Sequence, residues 1–224
     1  MAFRNREQAA RLLATKLSRY RKQHPLVLGI PRGAVPMARV IADALDGEVD
    51  VVLVHKLRAR DQPELAIGAI DETGQSHLAD YASGLDFDAS YIAFEKQTQL
   101  EELRRRRKLY TPVREPIDPA GRIVIIVDDG IATGSSMLAA LRSLRARKPA
   151  KLIVATAVAP PHTVLRIKQE ADEVVSLETP EMFFAVGQFF QDFSQVSDDE
   201  VIAALAPSPA APHPAPASSS TSHY

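Results

Sequence analysis

Asp128 and Asp129 are adjacent carboxylates, followed by Gly130, Ile131, Ala132, Thr133, Gly134, Ser135 and Ser136. The five residues before them, Ile123 to Val127, form a continuous apolar run, and Ser135 to Arg147 has the spacing of a helix. A buried strand thus delivers two acids to its carboxyl end, and a turn of small residues opens a helix directly behind them. That turn offers unpaired backbone N–H groups, the positive end of a helix dipole, and the hydroxyls of Thr133, Ser135 and Ser136, enough to cradle a phosphate monoester without a lysine. Carboxylates repel the phosphate itself. They accept hydrogen bonds from sugar hydroxyls beside it and suit a hydrated magnesium ion, which prefers hard oxygen ligands. An acidic pair and an anion cradle in one loop describe a phosphorylated polyol, most simply a ribose 5-phosphate moiety. Two plainer readings stand beside this one: a strand, turn and helix whose Thr and Ser only cap, and a receiver-like acidic pocket, which has no need of the small-residue loop.

The flanking elements repeat one pattern. Leu26 to Ile30 is a short apolar run followed, after Pro31-Arg32-Gly33, by helical spacing over Val35 to Leu45. Val51 to Val54 reads as a second strand, Ile123 to Val127 as a third, Leu152 to Val158 as a fourth with a helix over His162 to Glu170, and Val174 to Leu177 as a fifth. Apolar strands alternating with helices predict an α/β fold, a parallel sheet flanked by helices, with ligands beyond the carboxyl ends of the strands. Before the first strand, Ala9, Leu12, Leu13, Leu17 and Tyr20 are spaced for a helix opened by Asn5 and Gln8 as a capping box and ended by His24-Pro25. A helical insertion over about residues 66–116 separates the second and third strands. Within it, Ala66 to Ile70 and Ser76 to Ala79 read as a hairpin around Thr73-Gly74, and Asp88 caps a helix to about Tyr110. On that helix Glu101/Arg105 and Glu102/Arg106 are favourable pairs, so the basic run Arg104 to Lys108 reads first as a solvated helix end.

The chain of 224 residues carries 27 Lys and Arg against 28 Asp and Glu, a formal charge of −1, so no global basic field recruits nucleic acid or an anionic membrane. It has no cysteine, which excludes disulfides, thiolate catalysis and Cys-ligated metal centres. No apolar run is long enough to span a membrane and the N-terminal segment lacks a signal-peptide core, so the expected location is the cytoplasm. Residues 206–224 hold 5 of the 16 prolines among Ala and Ser, a composition expected to stay disordered.

VIIVDDGIATGSSM closely resembles the signature of the type I phosphoribosyltransferases, which bind 5-phosphoribosyl 1-pyrophosphate (PRPP). The resemblance implies that Asp128 and Asp129 contact the ribose hydroxyls and help hold Mg²⁺, in part through water, and that Ala132, Thr133, Gly134, Ser135 and Ser136 bind the 5-phosphate. It implies a pyrophosphate loop at Pro31, Arg32 and Gly33, where many relatives have two glycines instead of Gly33-Ala34. Lys56 and Arg58 fall where a mobile loop closes over the site, here Lys56 to Leu65, and are expected to neutralise the leaving pyrophosphate. A small C-terminal hood over about residues 178–205 is expected to cover the acceptor base, with Phe183 or Phe184 stacking on it. GIPRGAVPMA, PELAIGAIDETG and FFAVGQFFQDFSQVSDDEV resemble a bacterial phosphoribosyltransferase subgroup without an assigned acceptor, so that the likeness spans Phe3 to Leu205 within a domain over residues 1–205.

The expected activity is Mg²⁺-dependent transfer of the phosphoribosyl group to a small nitrogenous acceptor with release of pyrophosphate. Asp128, Asp129, Lys56 and Arg58 are the expected catalytic groups, and the assembly expected for the family is a homodimer. The alternative is a non-catalytic sensor of PRPP or a nucleotide, because binding and turnover share these residues. His55, at a strand end, reads first as a packed histidine and only second as a base.

Overall fold

The computed structural model describes residues 2–60, 62, 66–78 and 88–207; the Pro/Ala/Ser tail beyond Pro207 and part of the segment Lys56 to Leu65 lie outside them. Five parallel strands form the central sheet: β1 (Leu26–Gly29), β2 (Glu48–Val51), β6 (Ile123–Asp128), β7 (Lys151–Val158) and β8 (Glu173–Glu178), in the order β2-β1-β6-β7-β8. A second, antiparallel sheet holds β3 (Val54–Arg58), β4 (Ala66–Asp71) and β5 (Ser76–Leu78). The helices are α1 (Arg6–Lys16), α2 (Ala34–Leu45), α3 (Ala89–Tyr110), α4 (Ser135–Ala146), α5 (Pro161–Ile167) and α6 (Asp198–Leu205). None of the helices among the described residues is long and apolar enough to cross a membrane.

Alternation along the strands sorts the interior into two layers. Val27, Ile125, Val127, Ile153 and Ala155 face α1, α2 and α6, whereas Leu26, Leu28, Val124, Ile126, Leu152 and Val154 face α4 and α5. Strands buried on both faces read as continuous apolar runs, which is why β1, β6 and β7 are evident in the sequence. Gly29 ends β1 because a Cβ there would lie 2.7 Å from the Val35 Cα, so α2 comes in directly behind the strand.

The second strand departs from its sequence expectation. Val51 to Val54 is not one strand: β2 ends at Val51 and β3 starts at Val54 in the other sheet. The main-sheet strand lies upstream and carries Asp50, only 2% exposed, at a position where apolar periodicity predicts no strand. Its carboxylate accepts from the Val51 N–H at 2.7 Å, the Ile117 N–H at 3.0 Å and Arg107 Nη1 at 3.2 Å. Arg107 also donates twice to Glu72, at 2.5 and 2.6 Å. The basic run is therefore not simply a solvated helix end, since the Arg107 side chain, 12% exposed, is held between the β4–β5 turn and β2. Glu102 takes both Arg105 and Arg106 at 2.8 Å, while Glu101 accepts from Gln97 and leaves the expected Glu101/Arg105 pair unformed.

Smaller departures follow the same logic. Asn5 caps α1 through the Gln8 N–H, but the Gln8 side chain returns to the Arg4 N–H, so the reciprocal bond is displaced by one residue. The first helix stops at Lys16, a short 3₁₀ turn over Ser18–Tyr20 follows, and Leu12 is exposed although its spacing places it in the core. The hairpin and the Asp88 cap of α3 are as the sequence indicates. Lys56 and Arg58 lie on β3, paired with β4, and not in a loop. The hood takes in the chain start as well: Phe3 bridges Phe190, with Phe3 N to Phe189 O at 2.7 Å and Gln191 N to Phe3 O at 2.8 Å.

Replacing Arg107 by Met keeps an apolar stem but strands Asp50 in the interior, so unfolding in urea is expected to show a loss of about 3 kcal/mol or more. A loss below about 1 kcal/mol would mean that the backbone N–H groups of Val51 and Ile117 suffice for Asp50. His55 offers a second test. Burial first, then the charges of Arg106 and Arg58, hold its pKa below the ordinary 6.5, against weaker opposing pulls from Glu102 and Glu95. Its Nδ1 is buried without a hydrogen-bond partner among the described residues. Below the ordinary value the unfolded chain gains a proton that the folded chain refuses, so stability is full above pH 6.5 and falls as the pH drops through the depressed folded value. The melting temperature of His55→Gln is expected to fall less steeply than wild type over that window; identical slopes would remove His55 as the source.

Candidate active site

The strand β6 ends at Asp128; β1 ends beside Val127 and β7 runs two residues beyond Thr156, the partner of Asp128, so the loops after all three strands leave the same end of the sheet. Part of Asp128 remains open to solvent, while its carboxyl accepts the Asp129 N–H at 3.0 Å. Burial, and after it the adjacent Asp129 charge, push Asp128 well above the usual carboxylate range; Arg6 and Lys56 pull in the opposite direction. Asp129 is ion-paired with Arg6 through Nε at 2.7 Å. Arg6 Nη1 donates to the Ser194 carbonyl at 2.7 Å, and its guanidinium lies 3.9 Å from the centre of the Phe193 ring. Asp192 and Glu200, both on the surface, also feel the Arg6 charge.

Behind the acids the loop turns sharply. Gly134 has φ +77°, a left-handed conformation that favours glycine, and a Cβ there would lie 3.2 Å from Thr163 Cγ2. Among the described residues no side chain caps α4, so the N–H groups of its first turn have no such partner. Ala132 and Thr133 are exposed, and the Thr133 and Ser135 hydroxyls are 3.2 Å apart. The loop carbonyls are held from the other side, Ala132 O by the Thr163 hydroxyl at 2.6 Å and Thr133 O by Arg166 at 3.1 Å. With its carbonyls engaged by α5, the turn presents donors to whatever lies in front of it.

The loop after β1 closes the other side. Pro31 to Gly33 is partly exposed, with a cis peptide between Pro31 and Arg32. Gly33 packs on the acid pair: a Cβ on it would overlap Asp129 Oδ2 and come within 3.1 Å of Arg6 Nε and 3.2 Å of Arg6 Nη2. Arg32 is turned elsewhere, 3.8 Å from Asp198 at the start of α6. Asp198 also accepts from the Tyr110 hydroxyl at 3.1 Å. Burial, and then Asp198, raise the Tyr110 pKa to about 12. The hood reaches the site where Gly130 has room for Val186 and no room for a Cβ. The Phe183 and Phe189 rings lie 5.4 Å apart, tilted by 31°, and Phe184 is 82% exposed.

Residues 2–193 match the phosphoribosyl transferase domain. The chain belongs to that family. It is 44% identical over 204 residues to the Mycobacterium tuberculosis proteins named "Putative phosphoribosyl transferase MT0597" and "Putative phosphoribosyl transferase Rv0571c", covering 91% of itself and 46% of each, so it spans about half the length of these relatives. The crystal structure of TT1426 from Thermus thermophilus superposes with a TM-score of 0.82 at 44% identity, covering 92% of this chain and 98% of that one.

In this phosphoribosyltransferase domain the sequence-assigned residues do not all converge. Gly33 packs against Asp129, the loop 132–136 follows the two acids directly in the chain, and Lys56 on β3 is close enough to act on Asp128. Arg58 is exposed, and its backbone is tied to α3, with N–H donating to Glu95 at 3.2 Å and carbonyl accepting from Tyr91 at 2.9 Å. The Arg6 side chain is a site residue that sequence spacing does not reveal. A cation at the first turn of a helix opposes the dipole, and that is the one local sign that Arg6 serves something beyond α1. Among the described residues no group of three or more His, Asp or Glu could hold a metal ion alone. Two carboxylates, one already facing a cation, fit a magnesium ion held mainly by phosphate oxygens and water.

Gly33→Ala forces a methyl group against the Asp129–Arg6 pair, so a loss of about 1–3 kcal/mol is expected from overpacking, seen as a lower melting temperature. An unchanged melting temperature would mean that the loop and the pair are not packed together.

Proposed function

We propose that the protein is an enzyme that binds PRPP and transfers its phosphoribosyl group to a small nitrogenous acceptor, releasing pyrophosphate. The observation that supports this best is the join of Asp128 and Asp129 to an uncapped helix start, which puts hydroxyl acceptors and phosphate donors one turn apart. The ribose hydroxyls donate to Asp128 and Asp129, and the 5-phosphate accepts from the N–H groups and hydroxyls of residues 132–136. Pyrophosphate lies against Pro31, Arg32 and Gly33, with Lys56 beside it. Magnesium, when bound, supplies charge that offsets the oxygens of the leaving group, with Asp128 and Asp129 among its holders, in part through water.

The acceptor nitrogen forms a bond to the anomeric carbon with its lone pair as the bond from that carbon to the pyrophosphate oxygen breaks. The bonding electrons leave with pyrophosphate, and the acceptor nitrogen gives up its proton to solvent. Positive charge develops on the sugar and negative charge on the leaving group, so the chain contributes chiefly by position and electrostatics. The hood, with Phe183 and Phe184, is where the acceptor stacks. The family reading carries a homodimer, which light scattering measures directly, and a cytoplasmic location.

The test is pyrophosphate release with PRPP, Mg²⁺ and a panel of purine, pyrimidine and nicotinate-like acceptors. At least one acceptor is expected to give turnover, and PRPP with Mg²⁺ is expected to raise the melting temperature, as any ligand selective for the folded state does. Asp128→Asn with Asp129→Asn is expected to abolish that shift while far-ultraviolet circular dichroism stays native. A double variant with the full shift refutes the ribose assignment, and tight binding without release from any acceptor would favour a sensor over an enzyme.

A further inference from the structure

Arg32 is the cation that the pyrophosphate loop itself supplies, yet its guanidinium faces Asp198 on α6. The cation that meets this loop is Arg6. Its Nη2 lies 3.2 Å from the position a Gly33 Cβ would take, and its Nε 3.1 Å from it. Three contacts fix the plane of the guanidinium: Asp129 on Nε, the Ser194 carbonyl on Nη1, and the Phe193 ring beneath it. Nη2 is left with no hydrogen-bond acceptor recorded among the described residues, on the edge next to Gly33. The side chain is 15% exposed, so its charge is only thinly screened by water.

We propose that Arg6 is a further pyrophosphate-binding cation of this site, donating through Nη2 to the donor's pyrophosphate at Gly33 while Nε continues to hold Asp129. This rests on the phosphoribosyltransferase reading above and adds a residue to it. Asp129 serves both roles at once, because a carboxylate has two oxygens and about four lone-pair directions, and Arg6 occupies only Oδ2. A planar guanidinium suits this bridging geometry better than an ammonium, since its donors point in fixed, different directions. The arrangement also links the donor to the hood: Ser194 and Phe193 belong to the segment that pairs with Phe3, so an anion on Arg6 pulls on the same contacts that hold the hood in place.

Calorimetry on the full chain with Mg²⁺ present, titrating inorganic pyrophosphate and ribose 5-phosphate separately, tests the assignment. Wild type is expected to bind both. Arg6→Gln is expected to lose about tenfold or more in pyrophosphate affinity, the size of one charge-assisted hydrogen bond, and less than about threefold for ribose 5-phosphate. Arg6→Lys keeps the charge and loses the fork, so it is expected to recover part of the pyrophosphate affinity and remain about threefold weaker than wild type. If Arg6→Gln does not fold, this second variant decides alone. Equal losses for both ligands would reduce Arg6 to a support for Asp129 and overturn the assignment, as would unchanged pyrophosphate affinity in either variant or a wild type that takes ribose 5-phosphate only. A wild type that binds neither ligand overturns the donor reading itself, and this assignment with it.

Discussion

Two neighbouring carboxylates at the end of a buried strand repel each other, and each loses hydration by being there. Asp128 shows the consequence in its raised pKa. The arrangement holds because cations reach it from two remote parts of the chain: Arg6 from the first helix, across 123 positions of sequence, and Lys56 from the first strand of the antiparallel sheet. Neither cation is placed by its own element alone. Arg6 is positioned by Phe193 and Ser194 of the hood, and Lys56 by the packing of β3 on β4 and α3. Hood, insertion and central sheet are thus joined through the charge balance of one pair of acids.

The insertion needs its own anchorage to hold Lys56 steady, and two buried polar contacts supply it. Arg107 ties α3 to Asp50 of the central sheet and to Glu72 of the hairpin turn. Asp71, 4% exposed, organises that turn by accepting from the Thr73 and Gln75 N–H groups, and it also takes the Ser143 hydroxyl of α4. Buried ionic contacts add little net stability over apolar packing, but they fix register, because a shifted hairpin would leave a carboxylate stranded. That suits a sheet that carries Lys56 toward Asp128.

The proposed donor site divides its work by chemistry. On that proposal, backbone N–H groups at the start of α4 take the phosphate and the carboxylates take the sugar hydroxyls. Donors fixed by a helix start lose little freedom when a phosphate arrives. Side-chain cations are assigned to the group that departs, where a flexible contact can strengthen as charge builds. The Val186 contact at Gly130 and the Arg6 stack on Phe193 bring the hood to the edge of this cleft, leaving Phe184 and Met182 exposed beyond it.

The contiguous part of the site was legible in the sequence. The acids, the turn and the helix start lie in one run from Ile123 to Ser136, and the physics of that run is local: an apolar strand, a left-handed glycine and an uncapped helix. The alternation of strands and helices was equally plain, because strands buried on both faces leave unbroken apolar runs. Two departures from the sequence pattern share one cause. Asp50 and Arg107 interrupt patterns that are judged by hydrophobicity, so apolar spacing puts the second strand too late and the basic run in solvent, whereas the two side chains pair with each other beneath the surface. Arg6 with Asp129 and Arg32 with Asp198 likewise pair across distant segments, and the strand character of β3 depends on the β4 partner that follows it. Local spacing determines which elements form and where an anion can sit on a helix; which charges meet is decided by tertiary packing, since an ion pair between distant segments has no periodicity to announce it.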